Sequence, residues 1–180
     1  MFLMKLEHDF FEKSTLEVAR ELIGKVIVRK IDRKIIKGRI VETEAYIGEE
    51  DKACHARFGK TKRNSVMYGP AGHAYIYLCY GLFNLLNIVT EEENKPAAVL
   101  IRRIDPLSAL DKNLKSYGPG NLTKYLKIGR DLNGIDIVKS TEIYIEDDGV
   151  QAHNIIRAPR VGVSYAGDHA KRKWRFILEV

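Results

Sequence analysis

Between Val41 and Ile47, mostly apolar positions alternate with Glu42, Glu44 and Tyr46, a period of two that lies inside a segment predicted to be a β-strand, Lys37 to Ile47. The alternation lies within a longer predicted strand, Lys34 to Ile47. Because alternate residues share a face, Glu42, Glu44 and Tyr46 are expected on one side of the strand. The opposite side carries Val41, Thr43, Ala45 and Ile47. Two carboxylates and a phenol on one face make a poor core, so this face is a candidate reaction site.

The rest of the chain is predicted to be rich in strands, with few helices. Ser14-Thr15-Leu16-Glu17 has the form of a capping box and starts a helix that ends at Gly24. Two further helices are predicted, Leu107 to Leu114 and Leu122 to Ile128, the second with Asn121 as its N-cap. The other predicted strands are Lys25 to Lys30, Tyr75 to Tyr80, Leu82 to Val89, Ala97 to Ile104, Ile143 to Ile145, Arg160 to Val163 and Arg175 to Val180.

A β-hairpin is predicted where Tyr75 to Tyr80 and Leu82 to Val89 flank Gly81. The polar segment before it, Gly48 to Pro70, is predicted to be a long loop. The chain of 180 residues has no internal repeat and no low-complexity linker, which suits one domain with a substantial core. We therefore predict an α+β fold, a single domain over residues 1–180 with a curved, mostly antiparallel sheet, peripheral helices and a protruding β-hairpin.

The net charge of the chain is +6, and the charged residues are unevenly distributed. Acidic runs occupy residues 91–93 and 146–148. Segregated charge of this kind favours one side that faces a polyanion, although solvated loops give the same pattern. The two basic clusters are Arg57, Lys60, Lys62 and Arg63, and Lys171, Arg172, Lys173 and Arg175.

The cysteine content and the apolar runs indicate an intracellular protein without a membrane role. Only Cys54 and Cys79 are present, not as a CxxC pair, which indicates free thiols in a reducing cytosol. Met1 to Met4 is too short for a secretory signal. The longest apolar stretch, Ala74 to Val89, is interrupted by glycine and asparagine and falls short of the roughly 20 residues of a spanning helix. A cytoplasmic location is expected, associated with the nucleoid if the source is prokaryotic.

The carboxylates of Glu42 and Glu44 admit two interpretations. Residues two positions apart on one strand face lie roughly 6.5–7 Å apart, a spacing that resembles the acid and base of a glycosidase. A poorly solvated carboxylate can deprotonate a water molecule. Alternatively, both carboxylates form ion pairs on a solvated sheet face. Arg102, at the end of a predicted strand, either reaches the Glu44 site or ends exposed.

Tyrosines concentrate on the predicted hairpin and admit two interpretations as well. Tyr75 and Tyr77 share a strand face, and Tyr80 lies at the tip. An exposed aromatic side chain at a hairpin tip indicates a binding partner. It could wedge into a stack of bases, as apolar side chains do in minor-groove proteins, with Leu82 and Phe83 widening the wedge. The alternative is a hydrophobic sheet core with a buried tip.

The remaining motifs are weaker. His55 lies in the polar loop near Cys54, and no other histidine or cysteine stands at the spacing of metal ligands, so no metal is predicted. Gly118-Pro119-Gly120 faintly resembles the glycine hairpin of helix-hairpin-helix DNA glycosylases, but the remainder of that motif is missing. The same residues suit a simple helix cap, or a helix N-terminus that meets a phosphate.

In their order along the chain, these segments resemble the alkyladenine (3-methyladenine) DNA glycosylase family. The resemblance runs from about Phe10 to the C-terminus and rests chiefly on two strings, Gly38 to Tyr46 and Tyr75 to Gly81. The other matching segments are His55, Lys62-Arg63-Asn64, Asn87, Arg102, Gly118-Pro119, Arg160-Val161-Gly162-Val163 and Trp174-Arg175-Phe176.

The resemblance implies roles for individual residues. Glu44 matches the general base that activates the attacking water, which Arg102 and the backbone carbonyl of Val161 would hold. Glu42 receives no role from the resemblance. The residues that would grip the flipped base are Tyr46, His55 and Tyr77, with Asn87 set against the 2-amino group of normal guanine.

The resemblance also implies a DNA surface and a substrate class. Tyr80 would fill the gap left in the duplex, with Leu82 and Arg63 beside it on the DNA side. The implied partner is double-stranded DNA that contains damaged purines of the 3-methyladenine, 7-methylguanine and hypoxanthine class, bound by a monomer without a cofactor. No lysine is placed to form a Schiff base, which implies base release without strand cleavage.

Two small departures from the family pattern leave the substrate range open. Leu82-Phe83 replaces a hairpin tip led by methionine, and Lys173 precedes Trp174 where proline is common. Two other functions remain as alternatives. One is a non-catalytic DNA-binding module, and the other is a hydrolase of free nucleosides or sugars that uses Glu42 and Glu44 together.

Overall fold

The computed structural model describes residues 3–107 and 118–179, so the helix predicted from Leu107 to Leu114 lies outside the described residues except for Leu107. The strands are β1 Met4–Lys5, β2 Val26–Ile31, β3 Lys34–Ile47, β4 Ala74–Cys79, β5 Phe83–Val89, β6 Ala97–Pro106, β7 Ile143–Asp147, β8 Ile155–Ala158 and β9 Arg175–Leu178. The α-helices are α1 His8–Glu12, α2 Thr15–Glu21 and α3 Pro119–Tyr125. Short 3-10 helices occupy His55–Phe58, Ser65–Tyr68, Arg130–Leu132 and Ser164–Lys171.

All nine strands of the described residues join one sheet, and every pairing in it is antiparallel. The main order is β1-β7-β2-β3-β6-β5-β4, with β9 added to β3 and β8 added to β9. The predicted α+β fold with a mostly antiparallel sheet is confirmed. Within residues 3–107 and 118–179, none of the helices is long and apolar enough to span a bilayer.

Strand β3 is the centre of this sheet and has three partners. Its first half, Lys34 to Arg39, pairs with β2, and Glu42 to Glu44 pair with β9 on the same edge. Strand β6 pairs along the other edge, with irregular register between Ile40 and Thr43. Glu44 therefore lies in register with Leu100 on one side and Arg175 on the other.

Helix α2 packs on β3 and closes the core beneath it. Val18, Ala19 and Leu22 have no exposed surface, and the Thr43 hydroxyl donates to the Ala19 carbonyl at 2.6 Å. The helix starts after Ser14 as predicted. The predicted capping box forms only in part, because the Ser14 hydroxyl lies 3.4 Å from the Glu17 carboxylate and makes no cap bond to the backbone.

Two local predictions are wrong. Helix α3 begins at Pro119 with Gly118 as N-cap, so Asn121 lies inside the helix; proline suits the first helical turn because its missing N–H has no helical partner there. The segment from Arg160 to Val163 is not a strand, because the Arg160 side chain and the Val161 N–H bond to interior carboxylates instead of a neighbouring strand. The strand of this region is β8, which was not predicted.

The β4–β5 hairpin protrudes as predicted, and its tip is exposed. Tyr80 and Gly81 both have positive φ, 50° and 70°, and the Leu82 N–H donates to the Cys79 carbonyl at 3.0 Å. Tyr80 is 90% exposed and Leu82 is 71% exposed. The alternative of a buried tip is therefore wrong.

Candidate active site

Glu44 lies at the centre of the candidate site with no exposed surface. The Val161 N–H donates to its Oε1 at 2.8 Å, and the Tyr46 hydroxyl donates to its Oε2 at 2.8 Å. The Arg102 Nη1 lies 3.5 Å from Oε1. The carboxylate is therefore held by three groups from separate parts of the chain.

The pKa of Glu44 is raised above its ordinary value. Burial is the largest cause, because it disfavours the charged carboxylate. Arg102, the Val161 N–H and the Tyr46 hydroxyl oppose the shift without cancelling it. A buried carboxylate with a raised pKa beside a cavity is a physically reasonable general base or acid.

Glu42 lies on the same face as Glu44, and both carboxylates form ion pairs. The Arg102 Nε and the Arg175 Nη1 each lie 3.0 Å from Glu42 Oε1. The pairs are mostly buried, with side-chain exposures of 12% for Glu42 and 15% for Arg102. The alternative interpretation correctly predicted that both carboxylates pair with basic residues. It was wrong in predicting that these pairs lie on a solvated face.

A cavity of about 600 Å³ opens beside this cluster. Tyr46, His55 and Tyr77, the three predicted base-gripping residues, all line it, together with Arg102 and Val161. Glu44 does not reach the cavity wall; its three partners do. The geometry therefore places a carboxylate directly behind an aromatic-walled cavity.

The aromatic rings are packed in fixed mutual orientations. The rings of His55 and Tyr77 meet edge to face, with centroids 4.4 Å apart, and those of Tyr75 and Tyr77 lie 5.4 Å apart. The His55 Nδ1 lies 2.9 Å from the Tyr75 hydroxyl. Burial, assisted by the positive charge of Arg63 and Arg57, lowers the pKa of His55 to about 4, so the ring is neutral at pH 7.

Asn87 forms part of the cavity wall and is 4% exposed. Its Nδ2 donates to the Tyr75 carbonyl at 3.1 Å and approaches the Leu85 carbonyl at 3.5 Å. These contacts fix the amide in the hairpin, so Asn87 presents a rigid polar group to whatever enters the cavity.

Two of the three predicted DNA-side residues border the cavity, and the third, Leu82, does not line it but lies exposed at the hairpin tip. Tyr80 and Arg63 line its rim, and the Arg63 guanidinium lies 5.3 Å from the centroid of the Tyr77 ring. Lys62, Arg63 and Arg130 are exposed and line a cleft beside the hairpin. Of the C-terminal basic cluster, Arg175 instead pairs with Glu42 inside the protein.

One interior pair, Asp51 and Arg160, was not assigned from the sequence. Both side chains have no exposed surface, and the Arg160 Nη1 and Nη2 lie 2.5 Å and 2.8 Å from the two Asp51 oxygens. The Arg160 guanidinium also lies 4.8 Å from the Tyr46 ring centroid and 4.9 Å from that of Trp174. No local spacing signals a pair so distant in sequence; the only indication is that Arg160 precedes Val161 in a matched segment.

A family model described as methylpurine-DNA glycosylase (MPG) matches residues 9–180, and the chain belongs to this family. It is accordingly a DNA glycosylase, a hydrolase of N-glycosyl bonds that acts on DNA. Its association with DNA repair and alkylation damage follows from the same family.

Curated relatives cover almost the full length of the chain. A protein of Methanocella arvoryzae is 50% identical over 95% of this chain and 90% of its own length. One from an Anaeromyxobacter species is 46% identical over 98% and 90%, and one from Natranaerobius thermophilus is 41% identical over 97% and 96%. Each of the three carries the name "Putative 3-methyladenine DNA glycosylase".

Proposed function

We propose that this enzyme removes alkylated or deaminated purines, of the 3-methyladenine, 7-methylguanine and hypoxanthine class, from duplex DNA. The observation that carries the proposal is the position of Glu44 behind the aromatic cavity, held by Val161, Tyr46 and Arg102. The names of the relatives supply the 3-methyladenine part of the substrate class.

The aromatic cavity favours a cationic base. N3- or N7-alkylated purines carry a positive charge, which the faces of Tyr46 and Tyr77 attract by cation–π interaction. Stacking returns roughly 1–3 kcal/mol per base, which offsets part of the few kcal/mol needed to flip the nucleotide. Asn87, fixed in the wall, would oppose the 2-amino group of normal guanine and so limit the removal of undamaged bases.

The chemical step is hydrolysis with Glu44 as general base. Each Glu44 oxygen accepts one short hydrogen bond and keeps another lone pair for a water molecule, which would enter between Arg102 and Val161. The water oxygen bonds to the sugar C1′ as Glu44 takes its proton. The N-glycosidic bond breaks and its electron pair leaves with the base, which neutralises an alkylated purine, whereas uncharged hypoxanthine leaves as an anion and takes up a proton from water. The products are the free base and an abasic site.

The proposal includes a monofunctional enzyme that acts as a monomer. Among the described residues that line the cavity, none is lysine, the usual amine for a Schiff base at C1′. The abasic strand is therefore expected to stay intact until alkali cleaves it, and borohydride is expected to trap no protein–DNA adduct. Sedimentation of the enzyme on a short lesion duplex tests the one-to-one stoichiometry.

The DNA surface is proposed to consist of the hairpin tip and the cleft beside it. Tyr80 and Leu82 are the exposed apolar side chains at the tip, suited to fill the gap that a flipped nucleotide leaves. Lys62, Arg63 and Arg130 would contact phosphates, so binding should weaken as salt rises.

The deciding experiment is single-turnover base release from duplexes that contain 3-methyladenine, 7-methylguanine, hypoxanthine or only normal bases. Glu44→Gln should retain duplex binding and lose base release by at least about a hundredfold, since it removes the proton acceptor. Glu146→Gln is the matched control, because Glu146 is a buried, ion-paired carboxylate outside the cavity. Wild-type turnover by Glu44→Gln would refute the base assignment.

The same experiment separates the two alternatives. A non-catalytic DNA-binding module would bind the duplexes with strong salt dependence and release no base from any of them. A nucleoside hydrolase would cleave a free nucleoside as fast as the duplex, and the exposed tip would have no effect on its rate. Loss of duplex binding in Tyr80→Ala, with its fold unchanged, argues against the second alternative.

A further inference from the structure

Glu42 connects two arginines whose charges act on Glu44, Arg102 and Arg175. Its Oε1 accepts from the Arg102 Nε and from the Arg175 Nη1, both at 3.0 Å. The Glu42 side chain is 12% exposed, so these bonds are largely shielded from water. A carboxylate in this position costs desolvation free energy that an apolar residue would not, which calls for a reason beyond packing.

We propose that Glu42 is a positioning residue that fixes the guanidinium of Arg102 in the orientation needed beside Glu44. The inference rests on the proposed function, in which Arg102 helps to hold the attacking water. Arginine has a long flexible stem and a rigid planar head, so fixing Nε also fixes where the Nη atoms point. With Nε on Glu42, Nη1 lies 3.5 Å from Glu44 Oε1.

The charges of the cluster support this assignment. Arg102 and Arg175 are the two cations beside Glu42, and each lowers the pKa of Glu44. Glu42 and Glu44 together balance them. Without Glu42, both guanidinium groups would have Glu44 as their remaining nearby carboxylate, and Arg102 would be free to move onto its oxygens. A direct pair of that kind would occupy the lone pair that the water needs.

Glu42 also joins the two groups that hold Glu44 Oε1. The Arg175 Nε donates to the Pro159 carbonyl at 2.8 Å, two residues before Val161, whose N–H donates to Glu44. Glu42 therefore contacts Arg102 directly and the Val161 segment through Arg175. The Glu42 carboxylate thereby helps to align both Arg102 and the Val161 N–H on Glu44 Oε1.

The first test separates rate from binding. Glu42→Ala should slow single-turnover base release by about 10- to 100-fold and change lesion-duplex affinity by less than about threefold, because misplacing a catalytic contact by 1 Å has effects of this size. Glu42→Gln keeps an acceptor oxygen for Arg102 and should recover part of the rate. Glu146→Gln should match wild type in both rate and affinity.

The second test is a double-mutant cycle with Arg102→Ala. If Glu42 acts through Arg102, adding Glu42→Ala to Arg102→Ala should slow the reaction by less than about threefold further. Equal slowing by Glu42→Ala in both backgrounds would overturn the inference. The inference would also be overturned if the slower rate of Glu42→Ala were fully explained by a smaller fraction of folded protein, measured by urea unfolding.

The third test does not depend on activity. In ¹⁵N NMR, the Nε–H of Arg102, assigned by its loss in Arg102→Lys, should exchange slowly with water in the wild type and rapidly in Glu42→Ala. An unchanged signal in Glu42→Ala would refute the inference. If the wild type releases no damaged base while this signal behaves as expected, the proposed function fails and the positioning by Glu42 stands.

Discussion

The carboxylate of Asp51 and the guanidinium of Arg160 form a fully buried ion pair behind the wall of the cavity. The same guanidinium donates to the Ala45 carbonyl at 2.8 Å, next to both Glu44 and Tyr46 in the chain. Burial alone would raise the pKa of Asp51, but the hydrogen bonds and charge of Arg160, together with the N–H groups of Ala53 and Ile47, outweigh burial and lower it. This pair therefore ties the loop after β3 to the segment that supplies Val161.

Asp51→Asn should destabilise the protein by about 3–5 kcal/mol, because it leaves the buried Arg160 charge without its counter-charge. Urea unfolding at pH 7 measures the effect. Asp168→Asn is the control, since Asp168 pairs with Lys171 at side-chain exposures of 93% and 82% and should change stability by less than about 1 kcal/mol. Equal losses in the two variants would contradict a structural role for the interior pair.

Glu44→Gln should stabilise the folded protein at neutral pH by about 0.5–2 kcal/mol, although it removes activity. The pKa of Glu44 is raised in the folded state, so its contribution to stability is present at low pH and is lost as pH rises through the folded pKa. Urea unfolding of wild type and variant at pH 4 and pH 7.5 should show the gain at pH 7.5 and little difference at pH 4. A variant less stable than wild type at pH 7.5 would count against a raised pKa.

His55 should make the protein less stable in mild acid. Its pKa is lowered to about 4 in the folded state, while the pKa of an unfolded histidine is about 6.5. Between these values the unfolded chain binds the extra proton, so the free energy of unfolding falls as pH drops. His55→Gln should reduce this fall between pH 7 and pH 4.5, and His153→Gln, at an exposed position, should not. An imidazole signal of His55 that titrates near 6.5 in NMR would disprove the shift.

Gly120→Ala should disturb the packing of α3 against the tip end of the hairpin, where Phe83 pairs with Cys79. A Cβ at this position would lie 2.6–2.8 Å from three atoms of Phe83, closer than carbon atoms can approach. Overpacking of this kind costs about 1–3 kcal/mol and should shift β5 against α3, with weaker binding of a lesion duplex. Phe83→Ala in the same chain should recover part of the loss, because it makes room for the new methyl group. If Gly120→Ala has the stability and the duplex affinity of the wild type, Phe83 moves away from the new methyl group without cost and the prediction is wrong.

The strands and the hairpin were predictable where a short sequence pattern is enough to determine the local structure. The strand predicted from Lys34 to Ile47 has the same limits as β3, and the tyrosine-rich pair of predicted strands forms the exposed hairpin. The pattern failed at Asn121, where a polar residue suggested a cap although Gly118 and Pro119 had already started the helix. It also failed at residues 160–163, where an apolar run suggested a strand but interior carboxylates hold the segment.

The grouping of the candidate-site residues around one cavity was predictable from sequence order, and only partly from spacing. Spacing placed Glu42, Glu44 and Tyr46 on one face, and their hydrogen bonds agree with that prediction. The contacts made by Arg175, Asp51 and Arg160 join segments more than 100 residues apart, as with the Arg160–Asp51 separation of 109. The Arg175 contact follows from the pairing of β3 with β9, and the Arg160–Asp51 contact joins two loops; no local pattern reveals either.

The pairing of β3 with three other strands bears on how this enzyme can diverge in evolution. A substitution at Glu44 or its strand neighbours disturbs β2, β6 or β9 at once, so this strand is a poor place to adapt the enzyme to a new lesion. His55 lies on a short 3-10 helix, and Tyr77 and Asn87 lie on a hairpin, both outside that three-way junction. We infer that descendants of this chain would change His55, Tyr77 and Asn87 and would keep the strand that carries Glu44.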